Sequence, residues 1–381
     1  MSTPSPVLST IIIVFALQAI LLSALVYFKQ PKKQSNTFLS LLIFFYALMA
    51  LNIAFINVLI RFDSFPIFRY FQLELLYGIG PALYFYTKSI SNPNFRFKKR
   101  DYLHFLPVII EFIFYRTAFY RLGAEGMYQA QQHPYTKIYL AEQWLGIISI
   151  SVYTLFTFKL LIKHQDWLKQ HYSNLDKKSL NWLKLPVIFY AFFWIAWNIL
   201  KELDRIIYEG SLKDYYFLPT FMGLAIVSVW IAFKSYTMPP VNQKEKLKKL
   251  KPKADRPINL SEYAKKIELL MTTEKPYLNS DLSLSELANQ LEMNTKQLSQ
   301  TINSCFGKNF YEFVNQYRVG HFIEKVKASE QEKFTLLSLA YDCGFKSKST
   351  FNDSFKKITG TTPTEYIKKM KKESESMHSV D

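Results

Sequence analysis

Hydrophobic positions are distributed in two different ways along this chain. In the N-terminal part they form long, nearly uninterrupted runs. Residues 6–28 and 37–60 carry no charged side chain, and each run reaches the roughly 18–20 apolar residues of a membrane-spanning helix. Residues 143–158, 185–200 and 215–233 are likewise uncharged and rich in Ile, Phe, Trp and Tyr. Two further stretches, 66–90 and 102–120, are apolar but include ionisable residues. The pattern predicts a bundle of seven transmembrane helices; buried helices of a large soluble core explain so many long runs poorly.

From about residue 258 the period shortens to that of small amphipathic helices. Leu284, Leu287, Ala288 and Leu291 recur at i, i+3, i+4 and i+7, one buried face. Ser283 and Glu286 have the spacing of a capping box at the start of that helix. A tight turn through Glu292, Met293 and Asn294 follows, and Asn294 suits the N-cap of the next helix. That helix is expected to bury Leu298 and Ile302. Its other face then presents Lys296, Ser299, Gln300 and Asn303, all able to contact bases or phosphates.

The same design recurs some fifty residues later. Thr335 can cap a helix burying Leu336, Leu339 and Ala340. Cys343, Gly344 and Phe345 make the turn, and Ser347 caps a helix burying Phe351 and Phe355. Its open face shows Lys348, Ser349, Asn352 and Asp353. Between the two pairs, residues 310–327 read as one longer helix. A last helix starts at Thr362, Pro363 and Glu365, with proline at its first position.

Charge sharpens this division. The formal net charge is +17, an excess that points to an anionic partner, nucleic acid or lipid head groups. Residues 1–239 carry 23 Lys and Arg against 12 Asp and Glu, and residues 240–381 carry 24 against 18. Basic residues collect after alternate apolar runs: Lys29, Lys32 and Lys33; Arg96, Lys98, Lys99 and Arg100; Lys159, Lys163, Lys169, Lys177, Lys178 and Lys184. Retention of Lys and Arg on the cytoplasmic side puts the N-terminus outside and the C-terminus in the cytoplasm. No basic segment precedes the first run, so it does not read as a cleavable signal peptide.

The expected organisation is a transmembrane domain over 1–237, a Pro- and Lys-rich linker over 238–257, a DNA-binding domain over 258–371 and a polar tail over 372–381. In the linker, seven of the residues from 244 to 256 are Lys or Arg, suited to anionic lipid or to DNA phosphates. Residues 257–381 carry 17 basic and 16 acidic residues, so DNA binding there must rest on local arrangement.

Ionisable residues within spans are costly and raise a functional hypothesis by default. Glu74 and Glu111, with Arg69 or Arg116 as partners, are candidates for a membrane-embedded sensing site; a structural ion pair or interfacial snorkelling to water is the more ordinary account of them. No zinc-protease, nucleophile-elbow or phosphate-loop motif occurs, so no catalytic residue, metal site or cofactor is expected. Cys305 and Cys343 read as reduced core residues.

The C-terminal pattern resembles a known family. The stretches LSLSELANQLEMNTKQLSQTIN, GKNFYEFVNQYRV and SLAYDCGFKSKSTFNDSFKKITGTTPTEY are similar to the DNA-binding domain of AraC/XylS-type transcription regulators. The resemblance covers about 30% of the chain, residues 258–371, and none of the apolar part. It implies an all-α fold with two helix-turn-helix units, whose recognition helices enter successive major grooves about 34 Å apart. Lys296, Ser299 and Gln300 would read the first groove, and Lys348, Ser349 and Asn352 the second. Three positions depart from the family pattern: Asp353 where a basic residue is common, Phe322 where a small one is usual, and Gly320 inside the linking helix.

The expected function is a bacterial inner-membrane regulator that binds double-stranded DNA from the cytoplasmic face, its membrane part sensing an unknown signal ligand or tethering the regulator. RNA polymerase and a second copy of the chain are further candidate partners beside the lipid bilayer. The competing expectation is a membrane receptor or transporter-like protein using its helix-turn-helix domain for protein contacts.

Overall fold

A computed structural model describes residues 6–29, 33–59, 75–92, 94–114, 135–176, 178–208, 260–328 and 334–378, with single positions between 222 and 233. The fold is all-helical; among the described residues the only extended pairing is one bridge, Tyr172 to Ser283. The chain divides into two compact units. One comprises Met1–Lys163 and Leu180–Pro240; the other comprises His164–Ser179 and Val241–Asp381. The linker expected at 238–257 lies outside the described residues.

In the N-terminal unit the helices are α1 Pro6–Phe28, α2 Gln34–Leu59, α3 Leu76–Ser91, a 3₁₀ segment Lys99–Phe105, α4 Leu106–Phe114, α5 Tyr135–His171 up to Lys163, and α6 Asn181–Ile207. Four of them, α1, α2, α5 and α6, are long and apolar enough to cross a membrane. The run expected at 215–233 is described only at single positions, all helical.

The side chains of this unit are apolar on the exterior as well as in the core. Leu21, Leu25, Ile110, Leu155, Phe192 and Ile206 are more than half exposed, and polar groups turn inward. The Ser23 and Ser40 hydroxyls each donate to the other's backbone carbonyl at 2.9 Å, joining α1 to α2. Small residues let helices approach closely. A Cβ on Gly78 would stand 2.5 Å from the Phe45 ring, and one on Gly80 would stand 2.7 Å from the Tyr153 ring.

The C-terminal unit contains α7 Leu260–Thr273, a 3₁₀ turn Pro276–Leu278, α8 Leu284–Gln290, α9 Thr295–Phe306, α10 Phe310–Lys327, α11 Leu336–Asp342, α12 Lys348–Thr359 and α13 Pro363–His378. The helix starts follow their capping chemistry. Ser283 with Glu286, Asn294 with Gln297, and Asn309 with Glu312 each form a reciprocal capping box, while Thr335 and Ser347 cap with their hydroxyls.

Two cores lie side by side. The first gathers Ile267, Met271, Leu287, Leu298 and Ile302; the second gathers Leu339, Ala340, Phe345, Phe351 and Phe355. Helix α10 belongs to both. Its first half gives Phe310, Phe313 and Val314 to one core, and its second half gives Val319, Phe322 and Val326 to the other. Phe322 is fully buried, its ring 4.7 Å from Phe351 and 5.7 Å from Phe355, so the large residue fills a space that the second core leaves for it. A Cβ on Gly320 would meet nothing within 4 Å. Cys343 is buried as expected, but Cys305 is exposed; it sits in the last turn of α9, outside the buried stripe of Leu298, Thr301 and Ile302.

Candidate nucleic-acid interface

Each helix pair ends in a helix with one buried and one open face. In α9, Gln297, Leu298, Thr301 and Ile302 are buried. Lys296, Gln300 and Asn303 are exposed and Ser299 is half-buried, at i, i+3, i+4 and i+7 on one side. Asn303 Nδ2 lies 3.5 Å from Ser299 Oγ. In α12, Phe351, Ser354 and Phe355 face inward, while Lys348, Ser349 and Asp353 are exposed and Asn352 is half-buried. All eight positions expected to meet DNA therefore avoid full burial, in two groups on the second helix of each pair.

The turns preceding these helices differ in chemistry. Glu292 takes a left-handed conformation, φ 52°, in the first, and Gly344, φ 91°, in the second. At Gly344 the requirement is steric as well as conformational. A Cβ there would collide with the Tyr277 carbonyl oxygen and stand 2.9 Å from that of Leu278. The second turn thus lies directly on the 3₁₀ turn belonging to the first core.

Arg318 occupies this junction. It is 1% exposed, yet each nitrogen of its guanidinium has an acceptor. Nε donates to Tyr277 O at 2.8 Å, Nη1 to Ser173 O at 3.2 Å and Asn315 Oδ1 at 3.0 Å, and Nη2 to Asn279 O at 2.8 Å and Ser173 Oγ at 3.0 Å. Its Cζ lies 5.9 Å from the centre of the Phe345 ring. Burial lowers its pKa to about 10, which leaves it charged at neutral pH. A planar fork with five N–H donors suits this cluster of acceptors as a lysine would not. Two peripheral ion pairs cross the same boundary: Lys346 Nζ to Asp281 Oδ2 at 2.6 Å, and Lys357 to Glu312. Burial pushes the Glu312 carboxyl up, but hydrogen bonds from Lys357 and the Asn309 N–H bring it below the usual carboxylate range. The two open helices therefore belong to one compact unit, joined through Arg318 and these two ion pairs.

Comparison with known proteins agrees with this geometry. Residues 287–369 match the family model of a helix-turn-helix domain. The C-terminal unit carries an AraC-type helix-turn-helix domain. The chain is 30% identical over 90 residues to an uncharacterized HTH-type transcriptional regulator of Staphylococcus aureus (strain COL), covering 24% of this chain and 12% of that protein. It is 33% identical over 87 residues to the uncharacterized HTH-type transcriptional regulator YtdP of Bacillus subtilis (strain 168), covering 23% of this chain and 11% of that one. The chain thus spans about an eighth of the length of these relatives. No solved structure matches.

The helix-turn-helix domain also holds a segment that sequence reasoning assigned only to a basic loop. Residues 164–179, the end of α5 and the turn after it, belong to this unit. Ser173 is fully buried; its N–H and its hydroxyl both donate to Leu282 O, at 3.1 and 2.7 Å. Thr350 Oγ1, in the first turn of α12, donates to Asp176 Oδ1 at 3.3 Å. The sequence signals were slight: a helix-ending run of Ser173, Asn174 and Asp176, residues that favour turns.

Of the positions expected to sense a signal, Glu74, Arg69 and Arg116 lie outside the described residues. Glu111 is buried and accepts from the N–H groups of Leu76 at 3.1 Å and Tyr77 at 3.4 Å. It therefore satisfies the free backbone donors at the start of α3, a capping role from a distant part of the chain.

Proposed function

We propose that this chain is a membrane-tethered transcription regulator. Its C-terminal helix-turn-helix domain, 258–371, binds double-stranded DNA sequence-specifically on the cytoplasmic side, and its apolar part, 1–237, anchors the regulator or senses a signal. The observation that carries this reading is the pairing of two open recognition helices, fixed through Arg318, with membrane-length helices whose apolar side chains face outward on the same chain. A water-soluble enzyme has no use for such an exterior, and a carrier of small solutes has no use for two helices bearing Lys296, Gln300, Lys348 and Ser349.

The experiment is a mobility-shift titration of the full chain in lipid nanodiscs against genomic fragments. A small set of fragments should be retained, with log K falling steeply and linearly with log salt concentration, as phosphate neutralisation requires. Uniform or absent retention across the genome would defeat the reading.

A further inference from the structure

The helix-turn-helix domain has a peptide docked on it, and the peptide is part of the same chain. It is the direct continuation of α5, which runs without a break from Tyr135 to His171. Beyond the helix end, Tyr172 forms a bridge with Ser283, the cap of α8. Ser173 takes two hydrogen bonds of Arg318 and gives two to Leu282 O. Asn174 is buried and its Oδ1 accepts the Asp176 N–H at 2.9 Å, a local turn that presents the Asp176 side chain. Lys178 closes the loop by laying its Nζ 3.7 Å from the centre of the Tyr172 ring.

The carboxylate ends at the first turn of α12. Asp176 Oδ1 accepts from Thr350 Oγ1, and Oδ2 is buried with no hydrogen-bond partner among the described residues. Thr350 is the third residue of the helix and adjoins Lys348, Ser349 and Asn352. The Thr350 N–H is taken by Ser347 Oγ at 3.2 Å, so Asp176 meets the helix through the Thr350 hydroxyl, a donor that a DNA phosphate could also use. A carboxylate placed there has the charge and acceptor chemistry of a phosphate oxygen, and it stands on the helix that would have to enter the groove.

We propose that Asp176 is a built-in competitor of DNA: it holds the Thr350 hydroxyl at the head of the second recognition helix, and DNA binding requires it to leave. This inference rests on the DNA-binding reading and adds its regulation. Because the segment continues α5, a displacement of the end of that helix at His171 is passed to Asp176 through four residues, Tyr172 to Leu175. By reciprocity, a condition that withdraws Asp176 from Thr350 tightens DNA binding, and DNA withdraws Asp176, while Ser173 stays bonded to Arg318.

The test uses the full chain in nanodiscs and a duplex selected for binding to it. D176A should bind that duplex at least about fivefold more tightly than wild type, the lower end of usual coupling between sites. D166A, which removes the same charge from an exposed position on α5, should stay within about twofold of wild type, since distant exposed charges are largely screened. Independently of any variant, saturating duplex should speed tryptic cleavage of the wild-type chain after Lys178. Equal or weaker binding by D176A, an equal gain in D166A, or cleavage after Lys178 that DNA leaves unchanged or slows, overturns the inference alone. If no chain binds any duplex, the proposed function fails and takes this inference with it.

Discussion

Arg318 Nε donates to the carbonyl oxygen of Tyr277 at 2.8 Å, joining the linking helix to a turn 41 positions earlier. The bond sits among four others from the same guanidinium, three of which reach backbone carbonyls or a buried hydroxyl. Removing the side chain leaves those acceptors buried without donors, at about 1–3 kcal/mol for each that water cannot reach. R318A should therefore destabilise the C-terminal unit by about 3 kcal/mol or more. R318K, which keeps the charge but not the fork, should fall between. Chemical denaturation followed by far-ultraviolet dichroism measures both; a loss under about 1 kcal/mol in R318A would contradict the junction's assigned role.

Two glycines of the same unit should respond in opposite directions. Gly344 has φ 91° and its Cβ position is blocked by the Tyr277 carbonyl oxygen, a backbone atom that cannot swing aside. G344A should cost about 2–4 kcal/mol, combining strain at positive φ with a steric clash. Gly320 lies inside α10 with open space where a Cβ would be. G320A should stabilise by about 0.5–1 kcal/mol, the ordinary gain of replacing a helical glycine. Thermal midpoints measured side by side decide the pair.

The C-terminal unit was largely legible in the sequence because its determinants are local. Capping residues lie three positions from the groups they satisfy, as Ser283 and Glu286 do, and the buried stripe of each helix repeats at helical spacing. Long-range pairings leave no such trace. Nothing near Ser173 announces that it will meet Arg318, 145 positions away, and Glu111 has the same sequence signature whether it senses a ligand or caps α3 from 35 positions away. Apolar runs mark membrane-length helices but not their ends: α5 continues to His171, well past the run ending at 158, because Leu161, His164 and Leu168 keep a buried stripe beyond its first lysines. Asp176 was hidden for a related reason, standing in a region where six lysines drew attention to charge balance.

Acid should weaken the tie between the two helix pairs at Glu312. Hydrogen bonds from Lys357 and Asn309 hold this carboxyl below its usual range despite partial burial. The unfolded chain has its glutamates near about pH 4.3. A folded pKa below that value gives a stabilising contribution fully present above about pH 4.3 and lost as pH falls through the folded value. E312Q should thus melt earlier than wild type at neutral pH, and the difference should close as the pH is brought below about 4. A constant difference across the range would place the effect of E312Q in packing and not in ionisation.

The recognition faces predict a split between variants that change preference and variants that change only strength. Gln300 stands open on α9, where its amide suits bidentate pairing with adenine, while a lysine ammonium in the basic linker is a point charge with equal use for any phosphate. Q300A should lose about 1–3 kcal/mol at its preferred duplex and relax selection at one base position. K248A, in the basic linker, removes a phosphate contact and should weaken all duplexes alike, reducing the salt slope by about 0.9. Asp353 is exposed on α12 and, as an acid facing phosphates, should oppose binding; D353N should then tighten all duplexes by about 0.2–1 kcal/mol, the range of a single exposed charge interaction. Binding selections on randomised duplexes at two salt concentrations measure every one of these quantities together. A D353N chain that instead loses selection at one cytosine would reassign Asp353 from a repulsive charge to a base reader accepting from cytosine N4.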